Sequence, residues 1–358
     1  MSYVLAYGSG VFPQGSKAFP GPKVHAEPPE AIIQMQGSNQ KMIDFIFGVS
    51  CSQKWHSVNL QQHRDHYSGI GRLGAYAVAH CQDSFGAGIY FHPFITINGI
   101  LIKYGVVNLD TLCCDLLTWD TLYLAGRLQK PTRVLQDHPR VQQANQSNLA
   151  SAINVALLLL PETFTEHDLY ATIAGISYTG DPRMSVGGDD PQKIQNMIRY
   201  QLQDFRRLYR PLLKTYPNIS SIGCQLDRID FTESAKIQQS MDPLVRAYML
   251  RSLPSAFRQK LYSQYRKKLN ISWEEYRDLL QQLDGDSPKT DQKLLSSFEE
   301  RVVQDIGLRQ EVEHTIRKTV RWSSFTQSIK SAITAGSLRS WKYAAEKRRK
   351  AMLGVGSL

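Results

Sequence analysis

The chain has 358 residues, is 42% hydrophobic and carries a formal net charge of +10, enough apolar material for a packed core and, on length, for about two domains. Its longest apolar runs, Val155–Pro161 and Ile100–Val107, fall far short of the roughly 20 residues of a spanning helix, and mean hydropathy is -0.33, so no transmembrane segment is expected. Five cysteines without a CxxC pair argue against a disulfide framework or a cysteine zinc site, and for reduced thiols in an intracellular compartment.

The first predicted element is a buried strand over residues 3–7, running straight into Gly8-Ser9-Gly10. Tyr3 already lies in that strand, so no signal or transit peptide is visible, and a trimmed N terminus is expected. Residues 12–40, rich in Pro, Gly, Ser and Gln, read as loop. A second strand follows at Lys41–Val49, whose alternation puts Met42, Asp44 and Ile46 on one face and Ile43, Phe45 and Phe47 on the other. Residues 69–84 look helical. Gly86–Val107 reads as a hairpin turning at Asn98-Gly99. Leu109–Leu128 has helical periodicity, with Leu112, Leu116, Trp119 and Tyr123 on one face.

After about residue 140 the texture becomes helical: Asn148–Pro161, Phe164–Tyr178, Asp190–Tyr216 and stretches within 243–284. Gly223–Phe231 reads as a strand, and Gln282–Lys293 as a linker-like loop. The expected fold is α/β (α+β): a mixed sheet with helices over 1–140, a mostly helical domain over 141–316 and a basic segment over 317–358. From Lys318 onward there are nine basic residues against the single acid Glu346, so this segment holds +8 of the net charge. Trp322, Phe325, Ile329 and Ile333 follow helical spacing, and Leu338, Trp341 and Ala345 continue after Gly336. Basic flanks make this either an interfacial helix on an anionic lipid surface or a helix packed on the body.

A strand ending in Gly-Ser-Gly lets backbone amides and a hydroxyl converge on an anion, and a helix starting near Phe12-Pro13 would add its positive end. Neither a P-loop nor a GxGxxG fingerprint is present. With an acid, Asp44, projecting from an apolar second strand, the layout resembles that of nucleotidyltransferases. There the Gly-Ser loop holds a triphosphate and strand carboxylates hold Mg²⁺. The usual second acid is replaced by Ile46, so other carboxylates complete the metal site or the substrate holds more of the ion.

Eight motifs occur together and in order: YGSGVFPQ, MIDFIFGV, WHSVN, HYS, GAGIYF, NGxxIKYGVV, LYLAGRLQKP and SYTGDPRM. With the tail SSFTQSIKSAITAG, they resemble the mitochondrial CDP-diacylglycerol synthases of the translocator assembly and maintenance family. The resemblance implies conversion of CTP and phosphatidic acid to CDP-diacylglycerol and pyrophosphate with Mg²⁺. It implies a nucleotidyltransferase domain followed by a winged-helix-like domain. It further implies peripheral attachment to the matrix side of the mitochondrial inner membrane, product flow into cardiolipin synthesis, and an N-terminal targeting region that this chain lacks.

On that footing Gly8, Ser9 and Gly10 are assigned to the CTP phosphates and Asp44 to the metal. Lys103 is assigned to phosphate oxygens, or else snorkels off an edge strand. Asp115 is a second acid for the metal, a partner for Lys103, or a solvated helix acid. Arg127 and Lys130 bind phosphate or complement a helix end. Asp181 and Arg183 lie on a loop, as site residues or an ion pair. Lys193 and Asn196 share a helix face and reach back toward the cytidine or the lipid phosphate. His56, Ser57, Asn59 and His66 are expected to line the site, and Trp322, Phe325, Ile329 and Trp341 to meet the membrane. Two other readings stay open: a nucleotidyltransferase acting on RNA or a small molecule, and a non-catalytic membrane-bound assembly factor for protein import. The near-neutral body argues against a nucleic-acid partner.

Overall fold

The computed structural model describes residues 1–12, 24–37, 40–182, 192–222, 236–284 and 297–335. Strand β1 (Tyr3–Tyr7) is followed by helix α1 (Glu30–Gln36) and strand β2 (Ile43–Val49). Helix α2 (Ser52–Gln62), 3-10 turns at Arg64–His66 and Gly69–Leu73, and helix α3 (Gly74–Ser84) lead into strands β3 (Ile89–Ile97) and β4 (Ile100–Asn108). The hairpin turns where expected: Asn98 and Gly99 have φ of 47° and 75°, the left-handed pair that a two-residue loop needs.

Helices α4 (Leu109–Thr118) and α5 (Ala125–Leu128) precede strand β5 (Arg133–Gln136), which closes a five-stranded sheet of order β3-β4-β2-β1-β5. β2 and β4 are parallel, with Asp44 opposite Lys103, while β1 is antiparallel to β2, with Tyr7 opposite Asp44. Register partners share a face, so Tyr7, Asp44 and Lys103 project together. That face buries Leu5, Ile46, Ile89 and Phe91 in the main core. The other face packs Tyr104 and Val106 with Phe45, Phe47 and Trp55.

The single helix expected over 109–128 is broken. Trp119 is left-handed, φ 54° and ψ 39°, with its indole fully buried and donating to Asn148 Oδ1 at 2.8 Å. The chain needs that turn to bring residues 121–130 back over the sheet.

The second half begins with helix α6 (Pro139–Leu159), whose Pro139 suits a helix start. Strand β6 (Thr163–Thr165) runs into helix α7 (Glu166–Ile176), entered through a Thr165–Asp168 capping box. Helix α8 (Lys193–Leu213) is kinked at Gln201. Strands β7 (Ile219–Ile222) and β8 (Lys236–Gln239) complete a three-stranded sheet in the order β6-β8-β7. Helices α9 (Pro243–Arg251), α10 (Ser255–Lys268), α11 (Trp273–Asp284), α12 (Ser297–Val303) and α13 (Leu308–Ala335) follow. One core extends from Tyr3 to Val320. The strand expected at Gly223–Phe231, the site residue Arg183 and the segment holding Trp341 lie outside the described residues.

Helix α13 runs unbroken through 316–317. Val312, Ile316 and Val320 are buried, but farther along the buried positions turn polar: Ser323, Gln327, Lys330 and Thr334. Gln327 Nε2 donates to Ile89 O at 3.2 Å, and Lys330 Nζ donates to Gln82 O and Phe85 O, both at 2.7 Å. Burial holds the Lys330 ammonium down at about 8. Trp322, Phe325 and Ile329 are instead exposed, at 70%, 52% and 39%. Among the described residues, no helix is long and apolar enough to cross a membrane.

Candidate active site

The site lies where β1 ends and β2 begins. Gly8 has φ +81°, and its carbonyl accepts from Val11 N at 3.1 Å and Phe12 N at 3.0 Å. The chain therefore leaves β1 by a turn closed on the Gly8 carbonyl; the residues after Phe12, where a helix start is expected, lie outside the described residues. A Cβ on Gly10 would stand 2.4 Å from Met42 O, so only glycine lets the turn lie against β2. Ser9 is exposed at the apex. A Cβ on Gly8 would meet Asp44 Oδ2 at 3.4 Å, which places the carboxylate directly beside the turn.

Lys103 Nζ stands 3.6 Å from Asp44 Oδ1 and 4.5 Å from the centre of the Phe91 ring. Facing them, the Arg127 guanidinium lies 4.7 Å from the Tyr123 ring and 5.0 Å from the Tyr7 ring, and Nη2 donates to Tyr123 Oη at 2.9 Å. Burial opposes the Arg127 charge, but Tyr123, Tyr7 and Asp44 outweigh it and hold its pKa above the ordinary range. The Tyr7 phenol is pushed up to about 12, by burial first, with Arg127 opposing and Asp44 adding to the shift. It is therefore a neutral donor near pH 7. Three buried polar atoms here make no hydrogen bond: Tyr7 Oη, Asp44 Oδ1 and Arg127 Nε. Each such atom costs about 1–3 kcal/mol, and a group of them around one ion pair marks a place built for a ligand.

A second positive group adjoins the first. Lys130 Nζ donates to Ser177 Oγ at 2.5 Å and to Gly126 O. Lys130 and Lys193 flank one aromatic ring, Tyr178, at 5.1 Å and 4.9 Å. Burial, then Arg127 and Lys193, holds the Lys130 ammonium well below the ordinary lysine range. An enclosed cation in that state gains most from an incoming anion. The second half of the chain thus reaches back to the site through Tyr178 and Lys193. Asn196 is half-buried three residues on, and Asp181 is buried, its amide donating to Tyr178 O at 3.1 Å.

Asp115 is corrected. It is neither a metal ligand, nor a partner of Lys103, nor a solvated acid. Its Oδ1 accepts from Thr121 N, Thr121 Oγ1 and Leu122 N, and its Oδ2 from Leu124 N and Ala125 N, at 2.8–3.0 Å. The carboxylate holds the 121–125 segment, which carries Tyr123 and leads into Arg127.

The cluster of His56, Ser57, Asn59 and His66 is corrected too, because it lies across the sheet from Asp44. His56 bridges Tyr67 Oη and Gln82 Oε1, both at 2.9 Å, and burial lowers it to about 4 against the Gln82 hydrogen bond. Asn59 Nδ2 donates to Tyr67 Oη and Tyr104 Oη, and His66 Nδ1 is 2.7 Å from Tyr104 Oη. Tyr104 neighbours Lys103 along β4, and adjacent strand residues point to opposite faces. Ser57 is exposed on α2.

Sequence reasoning missed Tyr7, Phe91, Tyr123 and Tyr178, the aromatic rings that frame the cations. The signal was adjacency: Tyr7 precedes Gly8-Ser9, and Tyr178 lies inside SYTGDPRM.

For a divalent ion the donor chemistry fits Mg²⁺: Asp44 offers a hard oxygen with an unfilled hydrogen-bonding position, and Mg²⁺ commonly takes one or two carboxylates plus phosphates and water. Position 46, which would share that face, is the fully buried Ile46.

Such a site has the charges and donors to hold phosphates. Carried on a mixed five-stranded sheet backed by helices, it puts the protein in the nucleotidyltransferase class. A family model described as mitochondrial phosphatidate cytidylyltransferase matches residues 1–350. Curated relatives of that name include one from Schizosaccharomyces pombe, 36% identical over 98% of this chain and 80% of its own length. Those from Xenopus laevis (34% identical, over 97% and 89%) and Mus musculus (32%, over 99% and 91%) are similar. The chain belongs to the mitochondrial phosphatidate cytidylyltransferase family.

Proposed function

We propose that this chain converts CTP and phosphatidic acid to CDP-diacylglycerol and pyrophosphate. The observation that carries the reading is the group of hydrogen-bond-free polar atoms on Tyr7, Asp44 and Arg127, set around Lys103 and beside the Gly8-Ser9 turn.

In this reading the Ser9 hydroxyl and the amides of the glycine turn hold the triphosphate. Lys103 and Arg127 hold its oxygens in place and offset charge on the departing pyrophosphate. Tyr7 donates a hydrogen bond into the same space. Lys130 and Lys193, with Asp181, Arg183 and Asn196 nearby in sequence, serve the second phosphate. Asp44 is the residue to hold Mg²⁺, which when bound supplies charge neutralisation to the phosphates. A phosphatidic acid oxygen, anionic at neutral pH, forms the new bond to the α-phosphorus of CTP. The bond from that phosphorus to the β-phosphate oxygen breaks, and pyrophosphate leaves with the electron pair. No covalent intermediate and little general-base help are required, so the work is positioning and charge.

The second half is proposed to be winged-helix-like, as the order α6-β6-α7-α8-β7-β8 suggests. The chain is proposed to sit peripherally on the matrix side of the mitochondrial inner membrane, with Trp322, Phe325 and Ile329 toward anionic lipid and its product feeding cardiolipin synthesis. No nucleic-acid partner is expected.

The test incubates the protein with Mg²⁺, labelled CTP and phosphatidic acid in anionic liposomes, beside Asp44→Ala and beside RNA as acceptor. Label in CDP-diacylglycerol, lost in Asp44→Ala and absent from RNA, is expected. A folded, liposome-bound protein that labels no lipid overturns the reading and favours the assembly factor.

A further inference from the structure

Across the sheet from Asp44, the short segment His63-Arg64-Asp65-His66 gathers three ligating side chains. His63 caps the end of α2, and a 3-10 turn at Arg64–His66 follows. The turn is closed by His66 N donating to His63 O and Tyr67 N donating to Arg64 O, both at 3.1 Å. One ligand atom from each of His63, Asp65 and His66 lies within 4.8 Å of the other two. The two imidazoles stack with centroids 4.7 Å apart and planes 8° from parallel, and Asp65 Oδ2 is 4.0 Å from His66 Nε2.

The geometry points to a transition-metal site here, filled by Zn²⁺ or a similar borderline ion bound through His63, Asp65 and His66, with water in the fourth position. Two imidazoles and one carboxylate suit such ions and not Mg²⁺, which prefers oxygen throughout. Tetrahedral Zn²⁺ with bonds of about 2.0–2.1 Å puts its ligand atoms roughly 3.4 Å apart. Because each lone pair lies in its own ring plane, binding needs the His63 ring to rotate out of the stack as the ligand atoms close up. His63 is exposed and the Asp65 side chain is 83% exposed, so both can adjust and an ion can reach them.

A second observation is independent of that spacing. Ligating histidines commonly hand their other ring nitrogen to a fixed partner. His66 does this: its Nδ1 lies 2.7 Å from Tyr104 Oη, which also accepts from Asn59 Nδ2 at 3.2 Å. Metal binding requires the tautomer with the proton on Nδ1, donated to Tyr104 Oη, which leaves Nε2 to take the ion. The ion would then fasten the end of α2 to β4, one residue from Lys103. The absence of a CxxC pair gave no hint of it, because the ligands are nitrogen and oxygen.

The test uses the full chain without a polyhistidine tag. Zn²⁺ is titrated calorimetrically into wild type, His63→Ala and Asp65→Asn in excess Mg²⁺, with Co²⁺ absorption as a second reading. Circular dichroism checks that the variants fold. One Zn²⁺ per wild-type chain is expected, with affinity down about tenfold or more in each variant, tetrahedral Co²⁺ bands in wild type only, and a Zn²⁺-dependent rise in melting temperature confined to wild type. Absence of Zn²⁺ binding, or binding of wild-type strength in both variants, overturns the proposal. Displacement of Zn²⁺ by Mg²⁺ does so as well.

Discussion

Lys103 and Asp44 stand in direct register on neighbouring parallel strands, Nζ 3.6 Å from Oδ1, with neither side chain more than a quarter exposed. One strand pairing therefore sets both the acid proposed for the metal and the cation proposed for the phosphates. Asp44→Asn and Lys103→Met are each expected to lower kcat/KM by about 10²–10³, the usual loss for a preorganised charge. Lys103→Arg is expected not to restore the rate, since a planar fork does not replace a compact ammonium. Rates near wild type in Asp44→Asn would remove this residue from the site.

Tyr7 offers a sharper separation of stability from function. Its hydroxyl is buried without a hydrogen bond, so Tyr7→Phe relieves a cost of about 1 kcal/mol or more in the free protein. The variant is expected to melt at or above wild type while its KM for CTP rises about tenfold. A loss of stability with unchanged KM would contradict this.

Asp115→Ala should behave in the opposite way. It strips five hydrogen bonds from one buried carboxylate, and a loss of about 3 kcal/mol or more is expected in urea denaturation. The Mg²⁺ concentration for half-maximal rate should stay at the wild-type value in the surviving folded protein. A shift in Mg²⁺ dependence without destabilisation would return Asp115 to the metal.

His56 predicts a pH dependence. Burial holds its imidazole down at about 4, against an ordinary 6.5. Between those values the unfolded chain binds the extra proton, so stability is complete above pH 6.5 and falls as the pH drops toward 4. The loss reaches up to about 3 kcal/mol. Denaturation midpoints of wild type should fall across that window more steeply than those of His56→Gln; parallel slopes would refute the assignment.

Trp322 and Phe325 are exposed on the outer side of α13, so Trp322→Ser with Phe325→Ser should leave the melting temperature unchanged. Losing two apolar anchors of roughly 1.5–3 kcal/mol each should weaken binding to anionic vesicles by tenfold or more in a flotation assay. Unchanged flotation would point to a different lipid-facing surface.

Local chemistry made parts of the fold legible. Alternation placed Asp44 and Ile46 together, Asn98-Gly99 fixed the hairpin, and Gly8-Ser9 marked the turn at the site. Sequence could not report which face of the sheet a distant helix covers, so the polar residues of α2 were put beside Asp44 when they pack behind it. Asp115 was misread for a related reason. A carboxylate that accepts from amides six to ten residues onward looks, in sequence, like any helix acid. The aromatic frame of Tyr7, Phe91, Tyr123 and Tyr178 comes from two strands and two turns far apart in the chain, and no local pattern joins them.

Helix α13 is joined to the sheet edge through main-chain atoms: Lys330 and Gln327 engage the backbone of Gln82, Phe85, Ala87 and Ile89. Main-chain groups persist whatever side chain is attached. The joint therefore depends on two side chains of the helix and, on the other side, on a backbone path that Gly86 and Gly88, both at positive φ, help to set.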